Sequence, residues 1–245
     1  MGWIERDYAD AAALIAGVTA EFKAACREAI AARGEAFLAL AGGRTPLPVY
    51  AHLANAQLSG SITAIPTDER CVPHDHAACN LRNLRDAFAL ARHSREGGND
   101  DVLSAHIDVQ PLTTTDGDIK ASLAKTRAWL AAHPESFDAV LLGMGADGHF
   151  ASLFPGASNL ADGLAMDSGV DAIATLPDPL PPEAPFARIS LTLPRLLRAR
   201  AVHLVVTGQD KRAILRRAQQ EPHAPYPVAT LLHAAASPIH IHWSP

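Results

Sequence analysis

Cysteine is scarce. Cys26, Cys71 and Cys79 are scattered over 245 residues, too few and too irregular for a disulfide framework or a zinc-binding Cys pair. No apolar run approaches the roughly 20 residues that cross a bilayer. Nor is there a lysine and arginine block able to track a phosphate backbone, and the formal charge is −5, so nucleic acid is not an expected partner. The opening MGWIERDYAD carries Glu5, Asp7 and Asp10 and lacks the basic-then-apolar order of a secretion signal, and Arg6 breaks the myristoylation pattern. These absences lead us to expect a protein of the reducing cytoplasm, free of membrane and nucleic acid, that handles a small molecule.

What is present is apolar material, 48% of the residues, enough for a large core. From Asp7 to Arg33, apolar residues recur at helical intervals (Leu14, Ile15, Val18, Phe22, Ile30), which predicts one long amphipathic helix closed by Gly34. Then the period changes. AFLALAGG, residues 36–43, is a continuous apolar run ended by glycines, as suits a strand covered on both faces, with a helix expected from Pro46. SITAIPTDER, FDAVLLGMG and ARAVHLVVTG repeat the pattern, each ending in charge or glycine ahead of helical sequence. Repeated strand, loop and helix units predict an α/β protein with a mostly parallel sheet, helices on both faces, and ligands outside the carboxyl ends of the strands. A single domain over residues 1–245 is expected. Two stretches stand apart: ARHSREGGNDD (91–101) reads as a surface insertion, and LPDPLPPEAP (176–185), with five prolines, as an extended connector.

Polar clusters fall at those strand ends. AGGRTP sets Gly42, Gly43, Arg44 and Thr45 between a buried strand and a helix N-terminus. Glycines let backbone N–H groups approach a phosphate, Thr45 adds a hydroxyl, and the helix end adds partial positive charge; an ordinary turn would use the same residues. The GK[ST] ending of a Walker loop is missing. Lys211, just past the glycine that ends VHLVVTG, and Arg188, after the proline-rich connector, can reach the same edge and share an anion with the loop.

GMGADGHF (143–150) satisfies G-x-G-x-x-G through Gly143, Gly145 and Gly148. A dinucleotide site also needs a helix after the third glycine and an acid about 20 positions on, at the end of the next strand. HFASLFPG offers barely two turns before Pro155, and Asp162, Asp167 and Asp171 lie in loop-like sequence. The alternative is an irregular loop that projects Asp147 and His149 over the strand edge. An imidazole, with its ordinary pKa of about 6.5, can take a proton from water there while a carboxylate orients the ring. A packed histidine beside a loop-satisfying aspartate would give the same spacing.

In TDERCVPHDHAACN, Asp68, Glu69 and Arg70 make either a structural ion-pair group or, at the site edge, a clamp or oxyanion stabiliser through Arg70. His74, Asp75 and His76 lack a defined third ligand. His240 and His242 of PIHIHW share one strand face, but two histidines do not fix a metal. Cys71 and Cys79 have no assigned base, and G-x-S-x-G is absent. Neither metal nor covalent catalysis is therefore expected.

The blocks LALAGGRTP, TDERCVPHDHAACNLRNL, FDAVLLGMGADGHFASLFPG, RISLTLPRLLRAR and VHLVVTGQDK occur in the order and spacing of the 6-phosphogluconolactonases. The chain resembles that family from about Phe37 to Lys211 and, more loosely, through YPVATLL; more distantly it is similar to the glucosamine-6-phosphate isomerases. The resemblance implies a Rossmann-like α/β domain without a nucleotide site or cofactor. It implies hydrolysis of 6-phospho-D-glucono-1,5-lactone to 6-phosphogluconate in the oxidative pentose phosphate pathway. By the same analogy His149 is the base that activates water, Asp147 orients it, and Arg70 holds the lactone or its oxyanion. The phosphate lies among Gly42, Gly43, Arg44, Thr45, Arg188 and Lys211, with Asp68 also on the substrate.

Isomerases of the related type continue D-G-H with I-A-F-N-E-P-G, whose glutamate helps the histidine open the sugar ring. Here Phe154 takes that place, and Arg70 stands where those enzymes typically carry tyrosine. Departures from the lactonase pattern are Arg44 and Cys79, where serine is common, and Phe150, where threonine is usual. An amino-sugar-phosphate isomerase or deaminase, and a non-catalytic sugar-phosphate sensor, are the alternatives. A monomer or weak homo-oligomer is expected.

Overall fold

Short apolar runs flanked by glycine or charge become strands, and the longer periodic segments between them pack as helices on either side. The computed structural model describes residues 2–93, 106–178, 180 and 185–245. In chain order the elements are β1 (Trp3–Asp7), α1 (Ala11–Arg33), β2 (Glu35–Leu40), α2 (Leu47–Ala54), β3 (Ser61–Pro66), β4 (Asp68–Arg70), α3 (Asn80–His93), β5 (His106–Val109), α4 (Ile119–Ala132), β6 (Ala139–Gly143), α5 (Leu160–Leu164), β7 (Ala172–Thr175), β8 (Arg188–Leu191), α6 (Leu193–Leu197), β9 (Val202–Thr207), α7 (Gln209–Gln220), α8 (Pro227–Ala234) and β10 (Ile239–Ser244).

Seven strands form one sheet in the order β1-β10-β9-β6-β2-β3-β5, every neighbouring pair parallel. Side chains along β2 alternate between two cores. Ala36, Leu38 and Leu40 join Leu14, Val18 and Phe22 of α1 on one face. Phe37 and Ala39 join Leu130 of α4, Leu215 of α7 and Leu231 of α8 on the other. This two-sided burial explains why the strand reads as unbroken apolar sequence. The chain builds outward from β2 through β3 to β5, then returns to place β6 on the other flank of β2. That reversal is where open parallel sheets bind ligands.

Three expectations need correction. The helix predicted from Asp7 begins at Ala11, because Asp10 caps it by accepting from the Ala13 N–H at 2.8 Å. Residues 3–7 instead form β1 at the sheet edge, whose mixed sequence WIERD carries no continuous apolar signal. The closing Gly34 does take a left-handed φ of 81°. SITAIPTDER is two strands, not one: β4 leaves the main sheet and pairs antiparallel with β8, which pairs with β7. Strands of three and four residues are too short to show an alternation. Of the expected 91–101 insertion, residues 91–93 continue α3, and 94–101 lie outside the described residues, as do 179 and 181–184 of the proline-rich connector. No helix among the described residues is long and apolar enough to cross a membrane.

Candidate active site

Beyond the carboxyl ends of β2, β6 and β9 opens a cavity of about 270 Å³, just under the roughly 300–1,000 Å³ of clefts for drug-sized ligands. The turn after β2 contributes Gly42, Gly43, Arg44 and Thr45; β4 contributes Asp68 and Arg70; β8 contributes Arg188; the first turn of α7 contributes Lys211. His149 enters from the loop after β6. Asp147 is the one predicted residue that does not line the cavity, and it is tied in through His149.

The imidazole Nδ1 lies 2.5 Å from Asp147 Oδ1, and the same oxygen accepts the His149 backbone N–H at 3.2 Å. Holding Nδ1 against the carboxylate leaves Nε2 as the nitrogen for chemistry. Partial burial alone would raise the Asp147 carboxyl. The hydrogen bonds and charge of His149 outweigh that and hold it below its ordinary 3.8, so the pair carries a carboxylate. Phe154 lies against the other side of the ring, with centroids 4.2 Å apart.

The glycines of the fingerprint serve this presentation. Gly145 bonds to the His149 carbonyl at 2.9 Å to close the loop, and a Cβ on it would overlap both the imidazole and the Asp147 carboxylate. Gly148 takes a φ of 76°, and a Cβ there would come within 2.7 Å of Tyr226. No helix follows directly: Phe150 and Leu153 form a single bridge, and Ala151, in the cavity wall, adopts a φ of 48°. Left-handed backbone at a residue with a Cβ costs about 1–2 kcal/mol, strain stored beside the imidazole.

Cations face that pair. Arg70 and Arg188 are direct cross-strand partners in the β4–β8 ladder. Like charges placed opposite each other repel and so favour an anion between them. Arg188 is 5% exposed, with its guanidinium 4.9 Å over the Phe154 ring. Arg70 donates from Nη1 to the Ala78 carbonyl at 2.7 Å, and its buried Nε has no partner among the described residues. Gly43, with φ 90°, and the exposed Arg44 and Thr45 complete this rim ahead of α2.

The two acids of β4 part company. Asp68 faces the cavity and accepts from Ser152 Oγ at 2.5 Å. Glu69 is fully buried on the other side, where it accepts backbone N–H bonds from Arg70, Asn80 and Leu81 at 2.7–2.8 Å and so caps the start of α3. Burial outweighs those bonds and pushes its pKa up to about 7. Among the described residues Arg70 forms no ion pair with either acid, so the structural ion-pair group is not what forms. Sequence reasoning also missed Asn80, which is 1% exposed, lines the cavity, donates to the Asp68 carbonyl at 2.8 Å and carries an Oδ1 without a partner among the described residues. Its position just after the charged turn and at a helix start was the available signal. Ser152 offered none, and Phe154, marked only as the residue in place of an isomerase glutamate, gave no sign that it packs on the His149 ring.

Other nucleophile and ligand candidates fall away from the cavity. Burial, helped by the Glu69 charge, pushes the Cys71 and Cys79 thiols up to about 11, far from thiolate formation at neutral pH. His74 bonds to Thr113 Oγ1 at 3.1 Å, and His76 accepts from the Ala78 N–H at 3.1 Å. The first ties the turn after β4 to the segment after β5, and the second is a contact within the turn.

Fold and cavity together define a class: a Rossmann-like α/β protein whose glycine loops border a cation-lined cavity and hold an oriented imidazole at its edge. Within that class the chain belongs to the glucosamine-6-phosphate isomerase/6-phosphogluconolactonase family, whose model matches residues 9–243. It is 34% identical over 241 residues to a 6-phosphogluconolactonase of Pseudomonas putida, covering 98% of this chain and 92% of that protein. To one of Caulobacter vibrioides it is 35% identical over 218 residues, covering 88% and 86%. The crystal structure of a 6-phosphogluconolactonase from Shewanella baltica superposes with a TM-score of 0.84 at 27% identity, covering 99% of this chain and 98% of the other.

Proposed function

We propose that this chain hydrolyses 6-phospho-D-glucono-1,5-lactone to 6-phospho-D-gluconate, the second step of the oxidative pentose phosphate pathway. One observation carries the reading: the cationic cradle and His149, held by Asp147, border the same small cavity. Relatives named for this activity match over nearly the whole chain.

The substrate phosphate binds the backbone of Gly42 and Gly43, the Thr45 hydroxyl and the cations of Arg44, Arg188 and Lys211, which places C1 of the ring toward His149. Nε2 takes a proton from water as its oxygen attacks C1. The carbonyl oxygen becomes an oxyanion beside Arg70, whose charge stabilises it. The bond from C1 to the ring oxygen then breaks. The imidazolium returns its proton to that leaving oxygen, giving a hydroxyl and the acid. Asp147 steadies the imidazolium between the two transfers. Asp68, fixed by Ser152 and the Asn80 side chain, addresses the sugar hydroxyls. A base contributes roughly 10²–10⁴-fold and one oxyanion donor roughly 10²–10³-fold, sufficient for a strained ester that already hydrolyses in water. Phe154 offers no proton where an isomerase of this family would place a carboxylate.

Freshly generated lactone, with 6-phosphogluconate followed by a coupled dehydrogenase, tests this. The expected result is product formation well above the spontaneous rate. Ammonia release from glucosamine 6-phosphate with no lactone hydrolysis would overturn it.

A further inference from the structure

On the face of the sheet covered by α1, away from the catalytic cavity, β9 and β10 bring His203 and His242 together as diagonal neighbours on adjacent strands, with His240 directly opposite His203, beneath Glu21 of the helix. His203 Nδ1 is 3.1 Å from His242 Nε2 and 3.5 Å from Glu21 Oε2, and His242 Nε2 is 4.0 Å from that same oxygen. A point about 2.1 Å from all three atoms therefore lies at the centre of their triangle, the length of a Zn–N or Zn–O bond. Both rings are almost wholly buried, and Glu21 keeps 23% of its side-chain surface exposed as an entry.

The surroundings are those of a ligand set. Tyr8 Oη is 3.0 Å from His242 Nδ1, the hydrogen bond to the distal nitrogen that orients a metal-binding imidazole. Arg6 Nε bonds to Glu21 Oε1 at 2.9 Å, which turns the other carboxylate oxygen toward the histidines. In one pair of neutral tautomers His203 carries its proton on Nε2 and His242 gives its own from Nδ1 to Tyr8; the lone pairs of His203 Nδ1, His242 Nε2 and Glu21 Oε2 then face one point, which a cation fills.

We infer that Glu21, His203 and His242 form a binding site for one divalent transition-metal ion, of the zinc class, that pins α1 to the last strands of the sheet. Two imidazoles and a carboxylate select a borderline ion over magnesium or calcium, and water fills the open fourth position. His240 stays outside the triad, although its Nδ1 also lies 3.3 Å from Glu21 Oε2: that nitrogen accepts from Arg6 Nη1 at 3.2 Å, which occupies its lone pair. The ion's part is structural, because the triad lies outside the cavity walls.

The test uses untagged full-length protein, stripped with a chelator and titrated with zinc alone, then with cobalt. One ion per chain is expected, with visible cobalt bands of low coordination number and a melting temperature that rises with free zinc. His149→Ala and His240→Gln should bind as the native chain does. His203→Gln, His242→Gln and Glu21→Gln should each bind at least roughly tenfold more weakly. Glu21→Gln, on the partly exposed helix surface, serves as the control for folding should the buried variants not fold. Failure of the native chain to bind, or undiminished binding in Glu21→Gln, would overturn the assignment.

Discussion

His149 and His242 occupy opposite kinds of surroundings in one α/β sheet. His149 sits on a glycine loop, with 28% of its side chain exposed and Asp147 45% exposed beside it. His242 sits mid-strand with none of its side chain exposed, locked between Tyr8 and His203. The loop imidazole has one nitrogen held by Asp147 and, in the proposed reaction, uses the other to carry a proton. The strand imidazole has both nitrogens engaged, which suits a fixed bond and forbids turnover. Backbone, not residue type, makes the difference: a strand fixes its side chains to two faces, whereas glycine turns at a strand end aim them over the rim.

The largest break in that contrast should come from His149→Ala. Turnover on the lactone falls by roughly a hundredfold or more, with an unchanged melting temperature because the ring packs only on the loop and Phe154; unaltered turnover would remove His149 from the mechanism. Gly145→Ala is a gentler attack on the same loop. Its Cβ displaces both imidazole and carboxylate, so turnover drops roughly tenfold or more, as expected for misplaced catalytic groups, and steady-state kinetics with the fold checked by circular dichroism measure it.

Lys211→Ala sharpens the comparison from the binding side of the cavity. A charged contact of about 1.5–3 kcal/mol is lost, so KM rises roughly tenfold or more while turnover is largely kept. A fall in turnover alone would move Lys211 out of the phosphate cradle.

Asp68 and Glu69 repeat the contrast between adjacent residues, one facing the cavity and one interred. Burial raises the folded-state pKa of Glu69 to about 7, above its ordinary 4.5. Its contribution to stability is thus complete below about pH 4.5 and lost as the pH rises through about 7, with a slope of at most about 1.4 kcal/mol per pH unit. Denaturant unfolding across that range should show the slope in the native chain and its loss in Glu69→Gln; equal slopes would mean that the carboxyl is ionised throughout.

The parts of this molecule legible in the sequence share one property: the residues that act together are close in the chain or stand at a recognisable strand end. AFLALAGG showed a strand covered on both faces, and the glycines of GMGADGHF showed an irregular loop, with a presented and a packed His149 both open, because turn chemistry is local. β1 was invisible because an edge strand needs no apolar run. β4, β7 and β8 are too short to carry a period. Glu69 was grouped with Arg70 by adjacency, but alternation in a strand sends neighbours to opposite faces. Asn80 and Phe154 were missed in their roles because only the folded chain brings them against Gly42 and His149. His240 and His242 were read as two histidines on one strand face that do not fix a metal; His203 and Glu21 come against His242 only through sheet order and helix packing, which the sequence does not show.

Hydrolysis as proposed depends on one cavity serving both the phosphate and the water-activating imidazole. A crystal structure with bound 6-phosphogluconate tests it most directly. It should place the phosphate among Gly43, Thr45, Arg188 and Lys211, and the C1 carboxylate within hydrogen-bonding reach of His149 Nε2 and Arg70. Product bound with its phosphate outside that cradle, or with C1 turned away from His149, would contradict it.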